Sequence, residues 1–296
     1  MYELSQAHGW GYSIRQLCKL LSVNRAWYYQ RQKLIAQREL AEAELKAEVE
    51  QILLEFSGYG YRRVTKALQQ AGRTINHKKV LRLLRKWNLL CRPVRKKKLG
   101  TTQSDPAAAY ADNLLAGHKA EINGINQVWV GDVVMVVTKR ERGYLASLLD
   151  HYSRRCVGWS VSKVNDTALT LAALNQAIEA RRPGPGLIHH TDHGSNYTSK
   201  EYQNRLAEIS ARISHSRPGR PQDNGMAESF NKTISYEKIF LEEYETLAEA
   251  KASIEPWIEE KYNGRRLHSS IGYLPPVEYE KRWLSRELIG QIGGLA

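Results

Sequence analysis

The apolar positions of this chain change rhythm part-way along it. Up to about residue 90 they recur at helical intervals; from Asn126 they come in short β-branched runs separated by polar turns. Residues 13–30 predict two short helices around a Ser22-Val23-Asn24 turn. Ser13 and Asn24 are their N-caps, and Leu17, Leu20, Leu21, Trp27 and Tyr28 face inward. A longer helix, rich in Ala, Glu, Leu and Lys, is predicted over residues 32–56. SGYGYRRVTKALQQAG (57–72) predicts a helix ending at Gly72. Asn76 caps another, HKKVLRLLRKWNLL (77–90), in which Val80, Leu83, Leu84 and Trp87 make one face and His77, Lys78, Lys79, Arg82, Arg85 and Lys86 the other.

The second rhythm begins with QVWVGDVVMVVTK, RGYLASLLDHYS and RRCVGWSVSK, three strands in a meander. Asp166 or Thr167 caps a helix closed by Pro183-Gly184, and GLIHHTDHGS is a short buried strand ending at Asp192. A helix over 199–209 and a strand over 211–214 lead to RPGRPQDNGMAESFNKTI (217–234). There Asp223, or alternatively Asn224, caps a helix. Ala227, Phe230 and Ile234 form its apolar face, while Asn224, Glu228, Lys232 and Ser235 share another. Strands interleaved with helices predict an α/β domain with a mixed sheet, preceded by an all-α region.

Charge sharpens the division. Net charge is +13, yet residues 1–100 hold 21 Lys and Arg against 7 Asp and Glu, and residues 101–296 hold 23 against 24. An excess confined to one third of the chain suits an extended polyanion such as nucleic acid. A helix, a turn and a basic helix outline a helix-turn-helix reader, with a plain helical hairpin as the alternative. For the less basic N-terminal pair the two readings weigh equally. The run Arg92, Arg95, Lys96, Lys97, Lys98 and the Gly/Ser/Thr/Pro/Ala stretch after it form a basic linker. The expected organisation is an N-terminal helical region (1–50), a helix-turn-helix region (51–92), a linker (93–118) and a catalytic core with its tail (119–285). No apolar run approaches a membrane span, no secretory signal is visible, and Cys18, Cys91 and Cys156 stand far apart without a CxxC. A cytoplasmic setting is expected.

The candidate chemistry lies in acids. Asp132 interrupts an apolar strand, where a carboxylate is expensive without compensation. Asp192 ends another strand at a Gly/Ser turn, where an Asx turn is the simpler explanation. With Glu228, three carboxylates converging at one end of the sheet need cations, and oxygen-only donors select Mg²⁺ or Mn²⁺. Two such ions suit phosphodiester displacement. His189, His190 and His193 flank Asp192, but neighbours on a strand point opposite ways, and no zinc-type His/Cys spacing is present. One of them is a candidate to line the pocket. Asn196 and Tyr197 are candidates either to contact DNA or to pack in their loop.

Trp129-Val130-Gly131-Asp132, LLDHYSRRCVGW (148–159), HTDHGSNYTS (190–199), RPGRPQDNGMAESF (217–230) and YNGRRLHSSIGYLPPVEY (262–279) closely resemble the catalytic, second-reading-frame (orfB) subunit of bacterial insertion-sequence transposases, whose core is like that of retroviral integrases. GYGYRRVTKALQQAGRTINHKKVLRLLRKWNL resembles the helix-turn-helix before that core. Asp192 and Glu228 have 35 residues between them, the spacing that family uses. The resemblance implies a ribonuclease-H-like fold and a DDE triad of Asp132, Asp192 and Glu228. It implies that Mg²⁺ or Mn²⁺, as two ions, serves cleavage at the element's ends and attack of a 3′-hydroxyl on a phosphodiester. It further implies binding to terminal inverted repeats and target DNA, homo-oligomers on DNA, a nucleoid-associated bacterial enzyme, and an upstream-frame product or frameshift fusion as partner. Candidate DNA contacts are Arg62, Arg63, His77, Lys78, Lys79, Arg82, Arg85, Arg95, Lys96, Lys97, Lys98 and Lys232. The sequence departs from the family at Ser235, where a basic residue is common, and at Gly131, where threonine is frequent. The tail motif is expected to pack against the Glu228 helix. Competing readings are a catalytically idle DNA-binding regulator and a metal-dependent nuclease without strand transfer.

Overall fold

The structure, a computed structural model, describes residue 9 and residues 11–91, 111–118, 121–217 and 220–293. The basic run Arg95, Lys96, Lys97 and Lys98 lies outside the described residues.

Helix α1, Ile14–Leu20, is opened by a capping box in which Ser13 accepts from the Gln16 N–H and the Gln16 side chain bonds back to Ser13 N. Asn24 caps α2, Arg25–Glu55, by accepting from Ala26 N at 2.7 Å. The break expected near residue 31 does not occur: α2 is one helix of 31 residues. No Gly or Pro interrupts it, and its Ala, Glu, Leu, Gln, Lys and Arg content favours continuation. The inward face predicted for the N-terminal pair is corrected as well. Leu17 is buried, but Leu20 is 76% exposed and Trp27 48%, and Leu21 is exposed too. Among the described residues these side chains stay exposed, and Trp27 is met by Arg31 lying across its ring.

Helices α3, Tyr61–Gln70, and α4, His77–Lys86, form the expected pair, with Asn76 capping α4 through Lys78 N. They share one apolar cluster with the far end of α2: Leu45, Val49, Phe56, Tyr59, Val64, Leu68, Val80, Leu83 and Leu84. Because Leu45 and Val49 belong to it, α2 runs unbroken through residues 50 and 51 and is part of this unit's core. His77, Lys78, Lys79, Arg82 and Arg85 point outward, and Lys86 pairs with Glu42.

The second unit is a five-stranded sheet in the order β3-β2-β1-β4-β5. Strand β1 is Val128–Val137, β2 Arg142–Asp150, β3 Cys156–Ser162, β4 Ile188–Thr191 and β5 Arg212–His215. The meander β1-β2-β3 is antiparallel; β4 and β5 run parallel to β1. Strand alternation divides the core. Trp129 and Val133 face α5, Thr167–Arg181, capped by Asp166, and α7, Lys200–Glu208, which follows the single turn α6, Ser195–Thr198. Val128, Val130 and Val136 face α8, Gly225–Ile234, and α9, Leu247–Pro256. The terminal helix α10, Pro276–Gly293, is held by Glu280, which accepts from Arg155, both terminal nitrogens of Arg181 and Ser153. This is the mixed α/β, ribonuclease-H-like integrase core that the sequence predicted, preceded by its helix-turn-helix region.

Candidate catalytic site

Parity along β1 aims Asp132 to the same side as Val128 and Val130, the side covered by α8. On β4 the parallel register pairs Val128 with Ile188 and Val130 with His190. Continued by two residues, it sets Asp132 abreast of Asp192, just past the end of β4. Glu228 lies in the first turn of α8 above them. Ala227, Phe230 and Ile234 anchor that helix in the core, which turns the Glu228 face back over the strand ends.

Two amides that sequence reading did not assign as site residues dock α8 on β1. Asn224 Nδ2 donates to the Gly131 carbonyl at 2.9 Å, and Asn231 Nδ2 donates to Asp132 Oδ2 at 2.8 Å. The other Asp132 oxygen accepts from Val133 N at 2.8 Å. Asn231 is three residues past Glu228, so helical spacing held the signal for it; what was missing was a partner across the sheet. The predicted cap at Asp223 is corrected. Its carboxylate is taken by Arg217, through Nε at 2.8 Å and Nη2 at 2.9 Å, and by Asn113 at 3.0 Å. These bonds hold Asp223 well below the usual carboxylate range, the Arg217 bond most of all. Asn224 makes no cap bond either; a turn of 3₁₀ helix, Pro221–Asn224, leads directly into α8.

Electrostatics single out Asp132. Burial, then the negative charge of Asp192 and to a lesser extent Glu228, pushes its carboxyl up from 3.8 to about 7. Asp192 is half-buried and accepts from Gly194 N at 3.0 Å, the Asx turn its sequence context suggested. Glu228 stands 3.6 Å from Lys232, the i,i+4 pair, whose ammonium is exposed. Ser235 is buried against the core, so the next helical turn offers no cation to a ligand. At Gly131, a Cβ would come within 2.9 Å of Leu148 Cδ2, so Leu148 fills the space a larger residue would need.

Among the described residues, no three His, Cys, Asp or Glu side chains are gathered closely enough, as they stand, to hold a metal ion. By donor chemistry, though, the residues fit a hard cation. The donors are oxygens only, and one of them, Asp132, keeps its proton to near neutrality because of its burial and the neighbouring charges of Asp192 and Glu228.

The neighbouring histidines separate as alternation requires. His189 is buried on the α7 side and shares a 2.8 Å hydrogen bond with the Tyr202 hydroxyl. His190 faces the other way and bonds Ser214 at 2.8 Å. Burial lowers both, to about 3 and about 4 respectively, so neither carries charge at neutral pH. His193, half-buried, donates to the Ser216 carbonyl. Asn196 and Tyr197 are packed rather than presented: Asn196 bonds Asn165 at 2.6 Å, and Tyr197 lies edge-on to Tyr202. In the reader, Arg62 is exposed, whereas Arg63 is half-buried with its guanidinium 5.8 Å from the Tyr59 ring centre. Arg63 therefore packs toward Tyr59 rather than standing on the exposed basic face.

Sheet order, paired aspartates and glutamate-bearing helix define an integrase-type catalytic core behind a helix-turn-helix region. The integrase core domain family matches residues 123–221 and again 210–276, and an HTH-like domain family matches residues 39–98. The transposase for insertion sequence element IS904 of Lactococcus lactis subsp. lactis is 37% identical over 246 residues, 83% of this chain and 95% of that protein. The transposase for insertion sequence element IS629 of Shigella sonnei is 34% identical over 279 residues, 92% of this chain and 93% of that one. A looser likeness, with TM-score 0.44 and 18% identity over 79% of this chain and 74% of the other, is to a chain of the simian T-cell lymphotropic virus intasome in complex with PP2A regulatory subunit B56 gamma. The chain belongs to the insertion-sequence transposases of the DDE type, with an integrase-like core. No helix among the described residues is long and apolar enough to cross a membrane.

On the reading that Asp132 holds a divalent ion, Asn231→Ala is expected to lower that ion's affinity and the activity by about 10–100-fold, the scale for a residue that orients a ligand. Titrating Mg²⁺ in the cleavage assay checks this; an unchanged Mg²⁺ midpoint contradicts it.

Proposed function

We propose that this protein cuts and joins DNA at the ends of its insertion element, with Asp132, Asp192 and Glu228 as ligands for Mg²⁺ or Mn²⁺. The observation that carries the reading is the placement of Asp132. It is a half-buried carboxyl inside an apolar strand, close enough to a second aspartate to feel its charge, and held by an amide of the helix that bears the glutamate. Such an arrangement costs stability in the empty protein and is explained by a cation that all three acids serve.

When bound, the divalent cations supply Lewis acidity to the attacking and leaving oxygens of a phosphodiester. The chain's own residues do the rest. Asn231 and the Val133 N–H fix the Asp132 oxygens, and Asp132 gives up its proton as a ligand must. Asn224 pins α8 to the Gly131 carbonyl, which sets the height of Glu228 over the strand ends. Lys232, exposed beside Glu228, is positioned for a phosphate of the bound end. The outward face of α4, with His77, Lys78, Lys79, Arg82 and Arg85, presents the element's terminal repeat with a basic helix, and Arg62 adds a phosphate contact. We read the chain as the second-frame product, acting as an oligomer on DNA with the upstream-frame product. The resemblance of its motifs supports that part.

The test is a duplex carrying the DNA that flanks the gene, incubated with Mg²⁺ or Mn²⁺, with and without the upstream product. Metal-dependent nicks at the element boundary followed by joined strands support the reading. Nicks that never proceed to joining mark a nuclease, and salt-sensitive binding with no metal-dependent cutting marks an idle DNA-binding protein. In the same duplex, Arg82→Ala and Arg85→Ala should each make binding less salt-dependent, by roughly one unit of slope in log K against log salt if they hold phosphates. Slopes equal to that of the unaltered protein remove them from the interface.

A further inference from the structure

The tail motif has a place that its sequence did not disclose. We infer that residues 262–273 are a splint that sets the reader at a fixed distance and angle from the catalytic helix, and so determine where on the DNA the enzyme cuts. The inference rests on the function proposed above for its consequence on DNA, and on geometry alone for the splint itself.

The path begins on α8. Directly after Ile234 the helix widens into a π turn, Ser235–Ile239, which carries Glu237 inward. Glu237 receives Arg266 in a two-pronged pair, Nε to Oε2 at 3.0 Å and Nη2 to Oε1 at 2.6 Å, with both side chains 3% exposed. Arg266 in turn lies 5.7 Å from the centre of the Tyr59 ring, and Tyr59 is in the core of the reader. The next residue, Leu267, donates its N–H to the Tyr59 hydroxyl at 2.6 Å and buries its side chain among the reader's apolar residues. Around this centre, Arg265 pairs with Glu55 at 2.6 Å, Gln70 donates to the Tyr273 carbonyl at 3.0 Å, and Lys66 lies over the Tyr273 ring. On the other side Tyr262 packs edge-on against Phe230 of α8 at 4.8 Å. One short segment therefore touches both the helix that carries Glu228 and three separate parts of the reader.

Stability alone is a poor explanation for a fully buried ion pair, since apolar residues of like volume serve as well or better; specifying one arrangement is the better-attested use. Gly58 shows how tight that arrangement is. A Cβ there would fall within 2.7 Å of Glu237 Cδ and Cγ and closer still to Oε1, and Glu237 is held by Arg266 and has nowhere to go. Gly60, two residues on, has no heavy atom within 4 Å of the same test atom and ordinary extended backbone.

This difference provides the test. Gly58→Ala wedges the joint by pressing on the Glu237 carboxylate while deleting no side chain; Gly60→Ala is its control in the same loop. With Cys91→Ser, spin labels at Arg82 on α4 and Glu208 on α7, both exposed, report the distance between the units in the DNA-free protein. A narrow distance distribution in the parent and in Gly60→Ala, displaced or broadened in Gly58→Ala, is the expected result. The same narrow distribution in all three overturns the splint, whatever the protein does to DNA. On end-bearing duplexes, mapped at nucleotide resolution, Gly58→Ala should keep end affinity within about threefold. It should lose cutting at the parental position by about 100-fold, the loss an ångström of misplacement causes, with the remaining cuts scattered. Parental cut positions and rates in Gly58→Ala overturn the link to cut-site choice. A parent that never cuts counts against the proposed function and leaves the distance result to decide the splint.

Discussion

On the function proposed above, Asp132→Asn is expected to abolish DNA cleavage and yet to be more stable than its parent above neutral pH when divalent ions are absent. The sign follows from where protons sit. Asp132 keeps its proton in the folded protein until about pH 7 but loses it near 3.8 when unfolded, so between those values the folded state binds more protons. Stability therefore falls as pH rises through that window, by up to about 4 kcal/mol at 1.4 kcal/mol for each tenfold change in proton binding. Asparagine removes the slope. The melting temperatures of the two proteins should nearly coincide at pH 4 in EDTA and part steadily by pH 8, with the variant higher. His151, His189 and His190, whose burial lowers their proton affinity, add a slope of opposite sign below about pH 6.5. They are common to both proteins and cancel in the difference. Mg²⁺ should raise the melting temperature of the parent and leave that of Asp132→Asn unmoved. Parallel curves with no Mg²⁺ response in either protein would mean that Asp132 is neither strained nor a ligand.

Arg266→Ala carries the largest expected cost to stability. It leaves the Glu237 carboxylate buried with its one strong partner gone, a loss on the order of 3–5 kcal/mol. Replacing both partners together, Glu237→Gln with Arg266→Met, should recover most of that loss, because what is expensive is the orphaned charge and not the missing pair. Denaturant titrations of the single and double variants give the comparison. Losses that simply add would show that the two groups do not act on one another. The double variant also separates two roles: it should fold, and still cut with less fidelity than the parent if the pair positions the reader.

Local signals were the legible ones. Ser13, Asn24 and Asn76 cap their helices as read, and Asp166 rather than Thr167 caps α5, because a cap needs only the three residues after it. The strand meander was legible in its β-branched runs, and Asp132 drew attention because a carboxylate in such a run is costly enough to demand a reason. What failed was competition and distance. Asp223 is a good cap by type, but Arg217 and Asn113 hold its carboxylate. Trp27 and Leu20 follow an inward pattern, but no element among the described residues buries them. Asn231 needed Asp132 across 99 positions, and the tail needed Tyr59 across 208 from Leu267; neither span leaves a periodicity to read. Packing of the tail on the catalytic helix was expected, and Tyr262 on Phe230 supplies it. That the same segment reaches into the reader was not.

The most direct test of the three-acid site uses a pre-cut element end with a free 3′-hydroxyl, a target duplex and Mg²⁺, comparing the parent with Glu228→Gln. The parent should join the end to the target. Glu228→Gln, which keeps the shape of the side chain and removes its charge, should bind the end as tightly but join it at least about 10³-fold more slowly, the scale for losing a group that acts on the transition state. Joining by Glu228→Gln at the parental rate would contradict the site.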